Sequence, residues 1–302
     1  MDWIQGKDPT LRIRDFYDRS QPTISFEFFP PKTDEDEETL YREVVPGLKQ
    51  LGASFISVTY GAGGGTRATT FRIVQRIRDK FGVEAMAHLT CVGSNRETLA
   101  TEIAEARGMG IENILALRGD PPKGQESFKP VEGGFSYAMD LIRFIRKHEH
   151  FCLGAAAYPE GHVECPNKHV DWDRAADKVD AGAEFLITQL FYDWSDFLDM
   201  VDYLRNKRGV KVPIVPGILP FLSTKQIKRF TLLCGAKLPG PLLKKLEEYA
   251  DDDESVRKLG IDHCTEMSRK LLDCGVAGIH FYCLNRTPSV TAIVRNLGLA
   301  PS

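Results

Sequence analysis

The chain lacks the marks of a membrane or secreted protein. No apolar run approaches the roughly 20 residues that span a bilayer, and the opening MDWIQGKDPTLRIRD has no apolar signal-peptide core. A cytoplasmic protein without a membrane partner is therefore expected. A basic surplus is also missing: 39 Lys and Arg stand against 42 Asp and Glu, a net charge of -3, so nothing here provides an electrostatic footprint for nucleic acid. The seven cysteines, Cys91, Cys152, Cys165, Cys234, Cys264, Cys274 and Cys283, are odd in number and include no CxxC pair. That argues against a disulfide framework and against a cysteine zinc site.

What is present is a chain of 302 residues with 42% hydrophobic content, enough for one large barrel-type domain or two ordinary ones. Eight runs rich in β-branched and aromatic residues recur. They are TISFEFF (23–29), SFISVTYG (54–61), EAMAHLTCV (84–92), NILALRG (113–119), CLGAAAYP (152–159), FLITQLFY (185–192), VPIVPGI (212–218) and GIHFYCLN (278–285). Each is followed by an amphipathic segment of helical length, several of them ending in Gly. Eight strand-then-helix units predict an α/β fold of the (β/α)8 TIM-barrel type, a single domain over 1–302. A doubly wound sheet with a small second domain competes, but the count of eight and the absence of a composition break favour the barrel. The seventh unit carries an insertion, 237–260, that predicts an extra short helix. Its acidic run DDDE (251–254) is read as the solvated first turn of the next helix, where negative charge suits the dipole.

In such a barrel the chemistry sits at the C-terminal ends of the strands. The polar residues there are Glu27, Thr59, Tyr60, His88, Thr90, Arg118, Gly119, Asp120, Tyr158, Gln189, Tyr192, Tyr282, Asn285 and Arg286. Glu27 stands among Phe26, Phe28 and Phe29, which points to a general acid whose pKa is raised by desolvation; the plain alternative is a carboxylate paired with an Arg inside the barrel. ALRGDPPKG (116–124) puts Arg118 and Asp120 either side of a glycine, the Arg suited to a phosphate or carboxylate. The loop GAGGGT (61–66) could cradle an anion with its backbone N–H groups, yet it fails the dinucleotide fingerprint, which needs Gly where Thr66 stands. His162, Cys165 and His169 match no zinc spacing and read as a polar ligand-binding loop, not a metal site.

Together, FEFFPPKT, SVTYGAGGGT, HLTC, NILALRGDPP, AAAYPEGH, KVDAGAEFLITQLFYD, PGILP and FYCLNR resemble the methylenetetrahydrofolate reductase family, in order and over residues 22 to about 300. The resemblance implies a (β/α)8 barrel holding non-covalent FAD at its rim without a Rossmann motif, with NADH or NADPH as donor and methylenetetrahydrofolate as acceptor in turn. It makes Glu27 the acid that opens the folate ring and sets Asp120 near flavin and pterin, with apolar neighbours keeping Glu27 protonated near neutral pH. It implies FAD contacts at or near Thr59, His88, Arg118, Gly119, Asp120, Tyr158, His162, Asp171 and Lys178. Substrate contacts fall to Gln189, Thr59, Tyr282, Leu284 and Arg286.

Two positions depart from the family. Thr224, with Phe221 and Leu222 nearby, stands where relatives often carry Phe, and Arg174 and Asp177 stand where other residues meet the FAD phosphates. A homo-oligomer is expected by resemblance, as is the absence of a C-terminal regulatory domain. A flavin barrel of the proline dehydrogenase type and a non-enzymatic folate or flavin carrier are the competing readings. The combination of Glu27, Asp120 and Gln189 argues against a mere binder.

Overall fold

A computed structural model describes residues 12–60, 67–121, 124–125, 127–149 and 151–301. The described residues form one all-parallel sheet. Its strands are β1 (Thr23–Phe28), β2 (Phe55–Val58), β3 (Glu84–Thr90), β4 (Asn113–Leu117), β5 (Cys152–Ala157), β6 (Phe185–Thr188), β7 (Ile214–Val215), β8 (Gly217–Ile218) and β9 (Gly278–Tyr282). The order β7-β6-β5-β4-β3-β2-β1-β9-β8 closes a ring, because β7 and β8 are two halves of one barrel strand interrupted at Pro216. Proline has no N–H to give the ladder, so the pairing breaks there. Its carbonyl still accepts from the His280 N–H at 3.0 Å. The barrel read from the eight apolar runs is thus confirmed, with its seventh strand split.

Alternation along each strand decides what faces where. Ile24, Phe26 and Phe28 pack outward against helices, in one cluster with Leu48, Phe71 and Val290. Full burial of each such side chain contributes about 2 kcal/mol. The residues between them face inward, so Ser25 and Glu27 share the barrel interior with Ser57, His88 and His280. The lower interior is apolar: Phe55, Met86, Leu115, Phe185 and Val215 meet Ile13, Phe16 and Tyr17. Those three belong to a short helix, Ile13–Phe16, and its C-cap, an element that sequence periodicity did not show. It is held by the Ile13 N–H on Asn113 Oδ1 at 2.9 Å, by Thr23 Oγ1 on the Phe16 carbonyl at 3.0 Å, and by the Arg14–Glu184 ion pair.

The insertion forms the helix Gly240–Glu248, as expected. The acidic run opens the following helix, Asp253–Asp273, with Asp252 capping the N–H groups of Glu254 and Ser255. Among the described residues no helix is long and apolar enough to cross a membrane.

Candidate active site

A cavity of about 1030 Å³ opens at the C-terminal rim. Of the residues singled out from sequence, Glu27, Thr59, His88, Arg118, Gly119, Asp120, Tyr158, His162, Asp171, Lys178, Gln189, Tyr282 and Leu284 all line it. Arg286 does not; it lies exposed beyond the wall. The loop 61–66 lies outside the described residues.

Glu27 sits on the cavity floor, and its surroundings correct the sequence reading. Phe26 and Phe28 face the helices on the other side of the strand, and Phe29 is 49% exposed, so no apolar cage encloses the carboxyl. Its partners are two buried histidines: Oε2 lies 3.1 Å from His88 Nε2 and 3.3 Å from His280 Nε2. Each imidazole is anchored by a buried serine, Ser57 Oγ at 2.8 Å from His88 Nε2 and Ser25 Oγ at 2.8 Å from His280 Nδ1. Burial pushes the Glu27 carboxyl up, but the electrostatic pull of His88 and the hydrogen bonds of both imidazoles outweigh it. The group therefore sits below the usual carboxylate range, opposite to the direction expected from its sequence neighbours. His280 was missed from sequence, although it stands two residues before Tyr282 and so shares its inward face.

One wall is rich in donors. Arg118 is clamped by a bidentate pair with Glu164, stacks over Phe128 at 4.9 Å and donates Nε–H to the Gly119 carbonyl at 3.2 Å. Gly119 is required there: φ is 87°, and a Cβ would lie 2.8 Å from Val92 Cγ1. Lys178 is half-buried, with Nζ on the Ala156 carbonyl at 2.6 Å. Burial lowers its pKa to about 8, with Asp171 pulling the other way. Burial likewise lowers His162 and raises the Tyr158 phenol. The hydroxyls of Thr59 and Thr90, both on the cavity wall, are buried without a hydrogen-bond partner. Unpartnered buried hydroxyls and a lysine on the lining of one cavity fit a large polar, anionic group.

The opposite wall is mixed. Gln189 follows β6, where Tyr282 Oη donates to the Thr188 carbonyl at 2.6 Å and the Gly217 N–H donates to Thr188 Oγ1 at 2.9 Å. Leu190, Leu219, Phe230, Cys234 and Leu284 make this end apolar. Phe230 and Cys234 come from the helix Thr224–Cys234, which sequence reading did not assign to the site. Thr224 itself, at the start of that helix, does not reach the cavity wall. Arg174 lines the cavity beside the Tyr137 ring at 5.8 Å, whereas Asp177, also on the wall, is bonded to Arg208 at 2.9 Å. His169 packs on Trp172 and Tyr203 instead of facing the cavity.

Comparison with known proteins adds to this geometry. The sequence model of a family described as methylenetetrahydrofolate reductase matches residues 12–298. Methylenetetrahydrofolate reductase (NADH) 1 of Arabidopsis thaliana is 40% identical over 299 residues, covering 95% of this chain and 50% of that protein. The 5,10-methylenetetrahydrofolate reductase of Escherichia coli is 38% identical over 283 residues, covering 94% and 93%. The chain spans about half the length of the plant and yeast relatives and nearly the whole of the bacterial one. Among solved structures, an uncharacterized Clostridium thermocellum protein that binds two copies of 5-methyl-5,6,7,8-tetrahydrofolic acid superposes with a TM-score of 0.63 at 17% identity, covering 95% of this chain and 98% of that one. At that identity the likeness speaks for the fold alone.

Proposed function

Because the chain belongs to the methylenetetrahydrofolate reductase family, we propose that it reduces the one-carbon bridge of 5,10-methylenetetrahydrofolate to the methyl group of 5-methyltetrahydrofolate. FAD would be held non-covalently in the rim cavity, with NADH or NADPH as the electron donor. The names of three plant relatives specify NADH, which favours that donor. The observation that carries the reading is Glu27: an inward carboxyl at the floor of a cavity large enough for a dinucleotide, faced by a donor-rich wall.

Bound there, FAD would supply two-electron redox chemistry between the donor and the folate carbon. Lys178 and Arg118 are the cations suited to its diphosphate, Thr59 and Thr90 offer free hydroxyls, and Gly119 allows close backbone approach. The folate nitrogen must be protonated before its bridge opens, and Glu27 Oε2 is the acid for that step. Its carboxyl is held by His88 and His280, and a proton for that step would reach it through these hydrogen bonds. Gln189 and Asp120 stand on the walls as partners for the pterin's polar edge.

The test is anaerobic. NADH should bleach the visible band of the purified flavoprotein, and methylenetetrahydrofolate should restore it. Bleaching without recovery would leave a flavin barrel with a different acceptor and overturn the folate assignment.

Lys178 adds a pH signature. A diphosphate beside Nζ favours the charged form, so binding takes up a proton wherever the free lysine has lost its own. Affinity for FAD should be flat below about pH 8 and fall above it, by up to about tenfold per pH unit, as the free Lys178 titrates. Fluorescence titration of apoprotein reads this directly. Lys178→Met should flatten the profile, and a flat wild-type profile would remove Lys178 from the diphosphate site.

A further inference from the structure

The turn after β9 carries an unusual backbone. Leu284 and Asn285, with φ of 48° and 61°, are the non-glycine residues of positive φ among the described residues. The Arg286 N–H closes on the Cys283 carbonyl at 2.8 Å, which makes Leu284 and Asn285 the central pair of a mirror-image turn. Such positions belong to Gly, Asn and Asp. Asn285 suits its place, but Leu284 has no local reason to adopt a left-handed backbone. Strain of this kind persists where the surroundings enforce it and is concentrated at functional sites.

The enforcing contact is the Asn285 carboxamide. Its Oδ1 accepts from the Phe29 N–H at 2.8 Å and its Nδ2 donates to the Phe29 carbonyl at 3.0 Å. One side chain thus satisfies both backbone polar atoms of the residue that follows β1. Main-chain pairing of β1 with β9 runs to Glu27 and Tyr282 and ends with the Cys283 N–H on the Glu27 carbonyl at 3.0 Å. The amide continues that ladder where the backbone no longer can. Phe29 and Leu284, the two residues it fixes, both line the cavity. Phe29 is 49% exposed, a large apolar ring left at the cavity mouth.

We propose that Asn285 is a positioning residue: by clamping the backbone of Phe29 and holding the left-handed turn, it sets Phe29 and Leu284 as two apolar sides of the cavity mouth, fitted to a flat aromatic portion of the substrate. This rests on the folate reading, in which the arylamide stretch is that portion. The clamp acts on binding of the folate and leaves the acid on the cavity floor untouched, so its loss raises KM and spares kcat.

Three variants of the flavoprotein grade the clamp. Asn285→Asp keeps the acceptor and loses the donor. Asn285→Gly keeps the left-handed backbone and loses both bonds, and Asn285→Ala loses backbone preference as well. KM for methylenetetrahydrofolate should rise in that order, reaching about tenfold or more for Gly and Ala, with kcat within about twofold and the Asp and Gly variants melting within a few degrees of wild type. Wild-type KM in Asn285→Gly would overturn the clamp, because only backbone conformation would then matter. A fall in kcat at unchanged KM would overturn it too. Wild-type protein that takes up flavin yet does not turn over the folate would overturn the parent reading, a result distinguishable from either.

Discussion

Glu27→Gln is expected to abolish folate reduction, by a factor on the order of 10²–10⁴, while on the proposed reading the reduction of bound flavin by NADH stays within about twofold of wild type. Glutamine matches the carboxyl in shape and can still place an oxygen where both imidazoles meet it, so the floor of the cavity survives the change. What it removes is the oxygen that can carry a proton between the histidines and the substrate nitrogen. The donor half-reaction needs no such proton, which is why the two halves separate. Stopped-flow measurement of each half decides the matter, and equal loss in both would make Glu27 a structural carboxylate.

The second large effect is on stability. Gly217→Ala is expected to lower Tm by roughly 3–6 °C, equivalent to about 2–4 kcal/mol. A Cβ at Gly217 would lie 2.2 Å from the Thr188 carbonyl oxygen and 2.7 Å from the ring and hydroxyl of Tyr282. The Thr188 carbonyl belongs to a barrel strand and cannot yield cheaply. Tyr282 would have to leave its 2.6 Å bond to that carbonyl, and Gln189, next in the chain, would shift with it. Folate affinity should therefore fall along with Tm. Gly240→Ala is the control: at the start of a helix, with open space around it, it should be nearly silent. A Gly217→Ala melt within a degree of wild type would mean the strand can move aside.

The sequence displayed the barrel because buried parallel strands are continuous apolar runs, and it displayed most of the rim because polar residues stand out where those runs end. It misplaced the environment of Glu27 for an equally physical reason. Residues adjacent along a strand face opposite sides, so Phe26 and Phe28 describe the helix layer and say nothing about the carboxyl. The true partners, His88 and His280, are remote in sequence and meet Glu27 only through barrel closure. The helix Ile13–Phe16 is too short to show a period. Phe230 and Cys234 could not be told from ordinary helix residues, since a helix that lines a site and one that packs on a core are both amphipathic. Arg286 was drawn in by its neighbours in FYCLNR, but the turn carries it past the wall.

That short helix has a bearing on proton traffic. Ile13, Phe16 and Tyr17 close the lower end of the barrel with an apolar plug, while the cavity that Glu27 lines opens at the other end. On the proposed reading, a folate seated in that mouth would shield the acid from bulk water, so the acid would take up its proton while the site stands open.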